Sequence, residues 1–188
     1  MKNLVIITPC SRPNNLEKLK YSIDKLKRSL KNKVHIDWLI VYDSDIIETR
    51  YAMFDYISEY ATEGGIAGKM QINLGLDELF DDDLVYILDD DNIIHPNFKN
   101  LFNIKTDKLG FIFGQDLLGG NYRVPLNDNI KVGKIDQAQF VLSMQLIKDK
   151  RYIQKYEADG YFIEEIYKEH SDKILIIPEI MSYYNKLR

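Results

Sequence analysis

The stretch LVYILDDDN, residues 84–92, decides the fold of this chain. Its apolar run contains no turn residue and leads directly into three aspartates, which predicts a buried strand ending in a polar turn. Three adjacent carboxylates repel one another, so this cluster favours a site for a cation. Mg²⁺ and Mn²⁺ often bind through one or two carboxylates plus phosphate oxygens. We interpret Asp89, Asp90 and Asp91 as a metal and ligand site, with a solvated acidic turn as the alternative.

Strands and helices alternate on both sides of this stretch. Further strands are predicted at residues 5–8, 36–41, 110–114 and 174–177, and helices at residues 16–30, 51–60, 70–79 and 159–170. Pro9 is expected to end the first strand. This alternation predicts a single α/β domain with a mixed, mostly parallel sheet flanked by helices.

Polar clusters follow three of these strands, at residues 8–13, 43–45 and 89–92. Ligands of such sheets bind at the carboxyl ends of the strands, so we expect the three clusters to converge on one active site. A second aspartate triplet, residues 81–83, lies at the amino end of its strand and is interpreted as a solvated turn.

The first two clusters offer groups that bind a nucleotide. Asp43 could accept a hydrogen bond from a base or ribose, or cap a loop. Thr8, Pro9, Ser11 and Arg12 offer hydroxyls, backbone donors and a guanidinium for a diphosphate or base. The alternative for this segment is a rigid turn that starts a helix.

A candidate base lies in the second half of the chain. Asp159 is expected to be the N-cap of its helix, a position that aspartate favours without any functional reason. A carboxylate held there is also placed to act as a general base on a hydroxyl. Glu157, Glu164 and Glu165 are rivals, although the last two fall on the exposed side of the predicted helix.

Composition excludes several classes of function. The 188 residues carry a net charge of −4, which argues against a nucleic-acid partner. The single cysteine, Cys10, argues against a disulfide and favours a reducing compartment. The three histidines are not spaced with one another or with Cys10 like the ligands of a zinc site. The apolar run near the amino terminus is too short for a signal peptide or membrane span. We expect a cytoplasmic protein, with any membrane association peripheral.

Four segments resemble the β-1,3-glucuronosyltransferases, which are inverting transferases of the nucleotide-diphospho-sugar (GT-A) fold. They are IITPCSRP (6–13), DWLIVYD (37–43), GKMQINL (68–74) and VYILDDDN (85–92), in the family's order. More faintly, IDQAQF (135–140) is similar to the family's acceptor-side motif. The helix from Asp159 also resembles a motif of family-two transferases.

The resemblance implies a UDP-sugar donor bound by the segment around Ser11, by Asp43 and by Asp89 and Asp90, with Mn²⁺ or Mg²⁺ on Asp91. It also implies that Asp136 contacts the acceptor and that Asp159 is the base. Lys69 is a candidate for the phosphate or base, with a solvated lysine as the alternative.

The expected reaction moves a sugar to a hydroxyl of a glycan or glycoconjugate acceptor, as in polysaccharide or glycoconjugate biosynthesis. Residues 1–92 would bind the nucleotide-sugar, and residues 93–188 would supply the acceptor side and the base.

Departures from the family pattern leave alternatives open. Ala67 and Gln139 replace a family arginine and glycine, and the family's acceptor-binding extension is missing. A homodimer or partner subunit would be one source of the missing acceptor surface. A nucleotidyltransferase that makes an activated sugar is the first rival, although the segment after the first strand has no glycine. A non-catalytic nucleotide-sugar-binding module is the second.

Overall fold

The computed structural model describes residues 2–31, 33–44 and 57–188. The strands in these ranges are β1 (Lys2–Cys10), β2 (Val34–Asp43), β3 (Ile57–Thr62), β4 (Asp83–Ile87), β5 (Gly110–Asp116), β6 (Tyr122–Arg123), β7 (Phe140–Ser143) and β8 (Ile174–Tyr183). The α-helices are α1 (Leu16–Ser29), α2 (Lys69–Asp77), the single turn α3 (Met144–Ile147) and α4 (Ala158–His170).

One sheet holds all of these strands, in the order β3-β2-β1-β4-β7-β5-β6, with β8 paired to β5. The strands β1 to β4 run parallel to one another, and β8 runs parallel to β5. Strand β7 is antiparallel to both of its neighbours. The predicted mixed, mostly parallel sheet is confirmed.

The hydrophobic core lies on both faces of the sheet. Alternate residues of β1 point to opposite sides, so that Leu4 and Ile6 join one buried cluster and Val5 and Ile7 the other. The apolar stripe of α1 covers the first face. Helices α2 and α4 cover the second. Burial on both faces explains why these strands are continuous apolar runs in the sequence.

Strand β1 is longer than expected. Pro9 does not end it, because the strand continues to Cys10 and Pro9 lies opposite Val41 of β2. The pairing of β1 with β4 ends at Ile7. A proline, which has no N–H to donate, is tolerated where one side of a strand is unpaired.

Two further predictions about secondary structure were wrong. The helix predicted at residues 51–60 lies partly outside the described residues, and from residue 57 the chain forms β3 instead. The backbone of β3 pairs with the edge of β2 that β1 leaves open. This pairing is a long-range interaction with no signal in the local sequence. Asp159 is not an N-cap, because α4 begins at Ala158 with Glu157 before it.

A candidate active site at the carboxyl ends of the strands

A cleft of about 590 Å³ opens at the carboxyl ends of β1, β2 and β4. Ser11 and Arg12, Asp43, and residues 89–92 all line it, so the three predicted polar clusters meet there, although Asp45 lies outside the described residues. Asp136 and Asp159 line the same cleft. This arrangement brings the predicted donor-side and acceptor-side carboxylates together from both halves of the chain.

Asp90 anchors the segment that follows β1. One of its oxygens accepts hydrogen bonds from the backbone N–H groups of Ser11 (2.7 Å) and Arg12 (2.6 Å). Its other oxygen accepts from the Arg12 guanidinium, at 2.8 Å from Nε and 2.5 Å from Nη2. Asp90 is only 1% exposed. Its carboxylate therefore holds the segment around Ser11 through contacts within the protein.

Asp91 lies between two arginines. Its Oδ2 is 3.1 Å from Nη2 of Arg12 and 2.5 Å from Nε of Arg188. Its Oδ1 is buried and has no hydrogen-bond partner within the described part of the chain. A buried acceptor without a donor is costly, so this atom is suited to an incoming ligand.

This free carboxylate oxygen fits a hard divalent cation. Across the residues that the structure describes, no group of three or more histidine, cysteine or acidic side chains is arranged to hold a metal. Mg²⁺ and Mn²⁺ do not need such a group, because one or two carboxylates and the oxygens of a bound diphosphate suffice. The Oδ1 atom of Asp91 could serve as this one protein ligand.

Asp89 belongs to a buried hydrogen-bonded chain. Gln137 donates to its Oδ1 over 2.6 Å, and Lys69 donates to Gln137 over 2.7 Å. Burial, and then the charge of Asp136, raise the pKa of Asp89 to about 7, while the Lys69 ammonium opposes the rise. Lys69 is only 3% exposed and lies 5.0 Å from the centre of the Tyr152 ring. The lysine is thus a buried charge at the cleft and does not resemble a solvated surface lysine.

Asp136 and Asp159 approach the cleft from the second half of the chain. Asp136 accepts hydrogen bonds from the backbone of Ala138 (2.9 Å) and the side chain of Gln115 (3.0 Å), which hold its carboxylate in place. Asp159 lies in the first turn of α4, where the helix dipole favours a negative charge. Burial raises the pKa of Asp159, and Lys69 partly offsets this effect. A carboxylate with a raised pKa is a stronger base than one in free solution.

Asp43 and a glycine-containing turn form another wall of the cleft. A Cβ on Gly64 would come within 2.5 Å of Oδ2 of Asp43. The backbone lies so close to this carboxylate that only glycine, which has no Cβ, fits at position 64. Gly68 has a φ of 73° and faces Pro9. Both glycines line the cleft, so the turn forms its wall directly beside Asp43.

Three residues of interest lie outside this lining. Thr8 is fully buried and accepts a hydrogen bond from the indole of Trp38 at 2.9 Å, so its hydroxyl supports the sheet beneath the cleft. Glu164 accepts from the backbone of Val132 and pairs with Lys168 on the outer side of α4. Cys10 is buried, and burial, followed by the charge of Asp90, raises the pKa of its thiol to about 12.

Sequence reasoning missed several residues of the site, among them Gln137 and Arg188. Gln137 has no signal beyond the faint motif at residues 135–140, and its link between Asp89 and Lys69 depends on contacts across 48 and 68 positions. Arg188 carries no local signal, because it reaches Asp91 only through the tail that follows β8. The backbone of Leu187, which donates to the carbonyl of Asp91 at 2.8 Å, holds this tail in place.

Comparisons with known proteins identify the fold class. No family model matches the chain, and no curated protein matches it. Among solved structures, residues 1–349 of Staphylococcus aureus TarS match with a TM-score of 0.61 and 15% identity, over 97% of this chain and 60% of that one. The 4-diphosphocytidyl-2C-methyl-D-erythritol synthase of Anaerococcus prevotii matches with a TM-score of 0.54 and 14% identity, over 99% and 91%.

A Drosophila β-1,4-galactosyltransferase 7 variant, solved with manganese, UDP-galactose and xylobiose, matches with a TM-score of 0.52 and 12% identity, over 95% of this chain and 66% of that one. The chain thus spans less than two thirds of the TarS and galactosyltransferase chains. These identities show the fold alone. The chain has the GT-A or nucleotidyltransferase-like α/β fold, and its likeness to the glucuronosyltransferases stays a prediction.

No helix in residues 2–31, 33–44 and 57–188 is long and apolar enough to cross a membrane.

Proposed function

We propose that this protein is a metal-dependent, inverting glycosyltransferase that uses a nucleotide-diphospho-sugar, with a UDP-sugar favoured. One observation carries the proposal: a single cleft holds Asp43 and Asp91 beside Arg12, and holds Asp136 and Asp159 as well. The first group suits a nucleoside diphosphate, and the second suits a hydroxyl that must lose a proton. A glycosyl transfer needs both.

On the donor side, Asp43 accepts a hydrogen bond from the base or ribose, and the backbone and hydroxyl of Ser11 border the nucleoside. The guanidinium groups of Arg12 and Arg188, which both reach Asp91, are placed to bind the diphosphate oxygens. Asp91, whose Oδ1 has no hydrogen-bond partner in the described part of the chain, would hold Mn²⁺ or Mg²⁺. A cation bound there supplies positive charge against the leaving diphosphate.

On the acceptor side, Asp136 orients the hydroxyl and Asp159 removes its proton. The hydroxyl oxygen forms a bond to the anomeric carbon while the bond from that carbon to the diphosphate breaks, and its electron pair leaves with the diphosphate. Attack on the face opposite the leaving group inverts the anomeric centre. The transition state resembles an oxocarbenium ion, so the fixed carboxylates contribute mainly through electrostatics. Glu164 lies outside the cleft lining. Glu157 lines the cleft but is exposed, whereas Asp159 is half-buried in the first turn of α4, and we therefore assign the base to Asp159.

A nucleotidyltransferase that couples a nucleoside triphosphate to a sugar phosphate is the second candidate. Its support is the match with the A. prevotii synthase, of which this chain spans 91%. Against it stands the segment after β1, which contains one arginine and no glycine. Glycine-rich turns allow a backbone to approach phosphates closely, and this segment lacks that freedom.

A donor panel separates the two candidates. The protein would be incubated with UDP-, GDP-, CMP- and dTDP-linked sugars in Mn²⁺ or in EDTA, and nucleotide release would be followed by chromatography. The transferase proposal expects metal-dependent release from one donor class. Production of pyrophosphate from a nucleoside triphosphate and a sugar phosphate would favour the second candidate instead.

Two variants test the assigned roles. Asp91→Ala is expected to remove the metal dependence of donor binding in calorimetry. Asp159→Asn should leave donor binding intact and slow turnover by roughly 10²–10⁴-fold, the usual contribution of a general base. Asp107→Asn, at an exposed position, is the matched control. Failure of every donor to bind would refute the site, and wild-type turnover by Asp159→Asn would refute the base.

A further inference from the structure

A second cavity, of about 610 Å³, lies between α1 and the chain that leads away from the aspartate cluster. One wall is the outer side of α1, and the other is formed by residues 93–96 and Lys99. Tyr183 and Leu187 border it at the carboxyl end of the chain, while Tyr184 and Arg188 line the cleft described above. The same tail therefore separates two cavities. We call the second one the α1 groove.

The interior of the α1 groove is apolar and its walls are joined. Leu26 and Ile94 lie at its base and are 4% and 8% exposed. The hydroxyl of Ser22 accepts a hydrogen bond from the backbone N–H of Ile94 at 3.2 Å, which fixes α1 against the opposite wall. Displacement of water from such apolar walls by a nonpolar ligand lowers the free energy and favours binding. A cavity of this volume falls within the range of ordinary small-molecule sites.

Three lysines surround this apolar interior. Lys18 and Lys25 are seven residues apart on α1, which places them on the same side of the helix, and Lys99 faces them from the other wall. Within the described part of the chain, none of the three forms an ion pair. Glu17 is the one acidic residue among the described residues that line the groove. The border is thus positively charged, in a protein whose net charge is −4.

We propose that the α1 groove binds an amphiphile that has a single alkyl chain and an anionic head group. The alkyl chain would pack along the ring of Tyr21, which lines the groove and is 68% exposed, above the buried Leu26 and Ile94. The head group would meet Lys18, Lys25 and Lys99. A purely apolar ligand would not use the lysines, and a free anion would not use the apolar walls. The proposal goes beyond the transferase activity and does not depend on it.

Isothermal titration with dodecyl phosphate, kept below its critical micelle concentration, tests the proposal. Saturable binding at one site per chain is expected. Octyl phosphate should bind about a hundredfold more weakly, because it lacks four buried methylene groups. Inorganic phosphate and dodecyltrimethylammonium, which lack the chain and the negative charge respectively, should not bind measurably. Equal affinity for the octyl and dodecyl phosphates would overturn the proposal.

Variants locate the site on the protein. The double substitution Lys25→Glu and Lys99→Glu should weaken dodecyl phosphate binding about tenfold or more, since two attractive charges become repulsive. Charge reversal at the exposed Lys105 and Lys173 is the matched control and should leave binding unchanged. Leu187→Asp, which places a charge beside the apolar wall, should also weaken binding. Equal effects of the two double variants, or binding to anionic vesicles alone, would overturn the assignment.

Discussion

Truncation of Asp90 should destabilise the protein strongly, although this residue belongs to the predicted ligand cluster. The carboxylate is 1% exposed and accepts hydrogen bonds from the backbone of Ser11 and Arg12. Asp90→Ala leaves both backbone donors without an acceptor, and each such donor costs about 1–3 kcal/mol where water does not replace the acceptor. Arg12, the charged partner left behind, is 41% exposed and still reaches Asp91, so it does not become an unpaired buried charge. We therefore expect a loss of about 3 kcal/mol, mainly from the two backbone hydrogen bonds.

Urea denaturation measures this loss. Trp38 is the only tryptophan and is 1% exposed, so its fluorescence reports global unfolding. The titration would be performed in EDTA to exclude effects of bound metal. The midpoint should fall while the slope with denaturant stays constant, because the fold itself does not change.

Two further variants make the Asp90 experiment specific. Arg12→Ala removes the charged partner but leaves Asp90 its two backbone donors, so comparison with Asp90→Ala separates the contribution of the ion pair from that of the backbone hydrogen bonds. Asp107→Ala, an exposed aspartate, should change stability by less than about 0.5 kcal/mol. If Asp90→Ala matched that exposed control, Asp90 would not anchor the segment and would be free to bind ligand.

Three other predictions follow from the same geometry. The pKa of Asp159 is raised in the folded protein, so its negative charge lowers the free energy of unfolding at any pH above the pKa of the unfolded state. Asp159→Asn removes this charge and should therefore melt at a higher temperature than wild type at pH 7–8. The difference should vanish as the pH falls to about 4, where the carboxyl of the wild type is protonated in both states. Arg188→Ala should weaken binding of a nucleoside diphosphate about tenfold in calorimetry, because Arg188 reaches Asp91. Lys105→Ala, at an exposed position outside the cleft lining, should not weaken it. Gly160→Ala should lower the free energy of unfolding by about 1–3 kcal/mol in urea titration, since the added Cβ would lie 2.6 Å from the Cα of Val132. A Gly160→Ala variant as stable as wild type would contradict this close packing.

The local sequence determined the elements that depend on periodicity. The stripe of leucines and isoleucines on α1 predicted a helix buried on one side, and the apolar runs of β1, β2 and β4 predicted strands covered on both faces. A helix turns once in 3.6 residues and successive side chains of a strand point to opposite faces. Both patterns can therefore be recognised within a single short stretch of sequence. The position of the aspartate triplet at the end of β4 followed from the same reasoning, as did the convergence of the three polar clusters.

Only the tertiary structure decided what each aspartate does. Asp89, Asp90 and Asp91 are adjacent and chemically identical, yet the first contacts Gln137, the second holds the Ser11 segment and the third faces two arginines. Strand β3 likewise forms because β2 offers an unpaired side. The partners of these groups lie some 20 to 97 positions away along the chain, and a hydrogen bond or ion pair depends on distance in space. Sequence order alone carries no such distance.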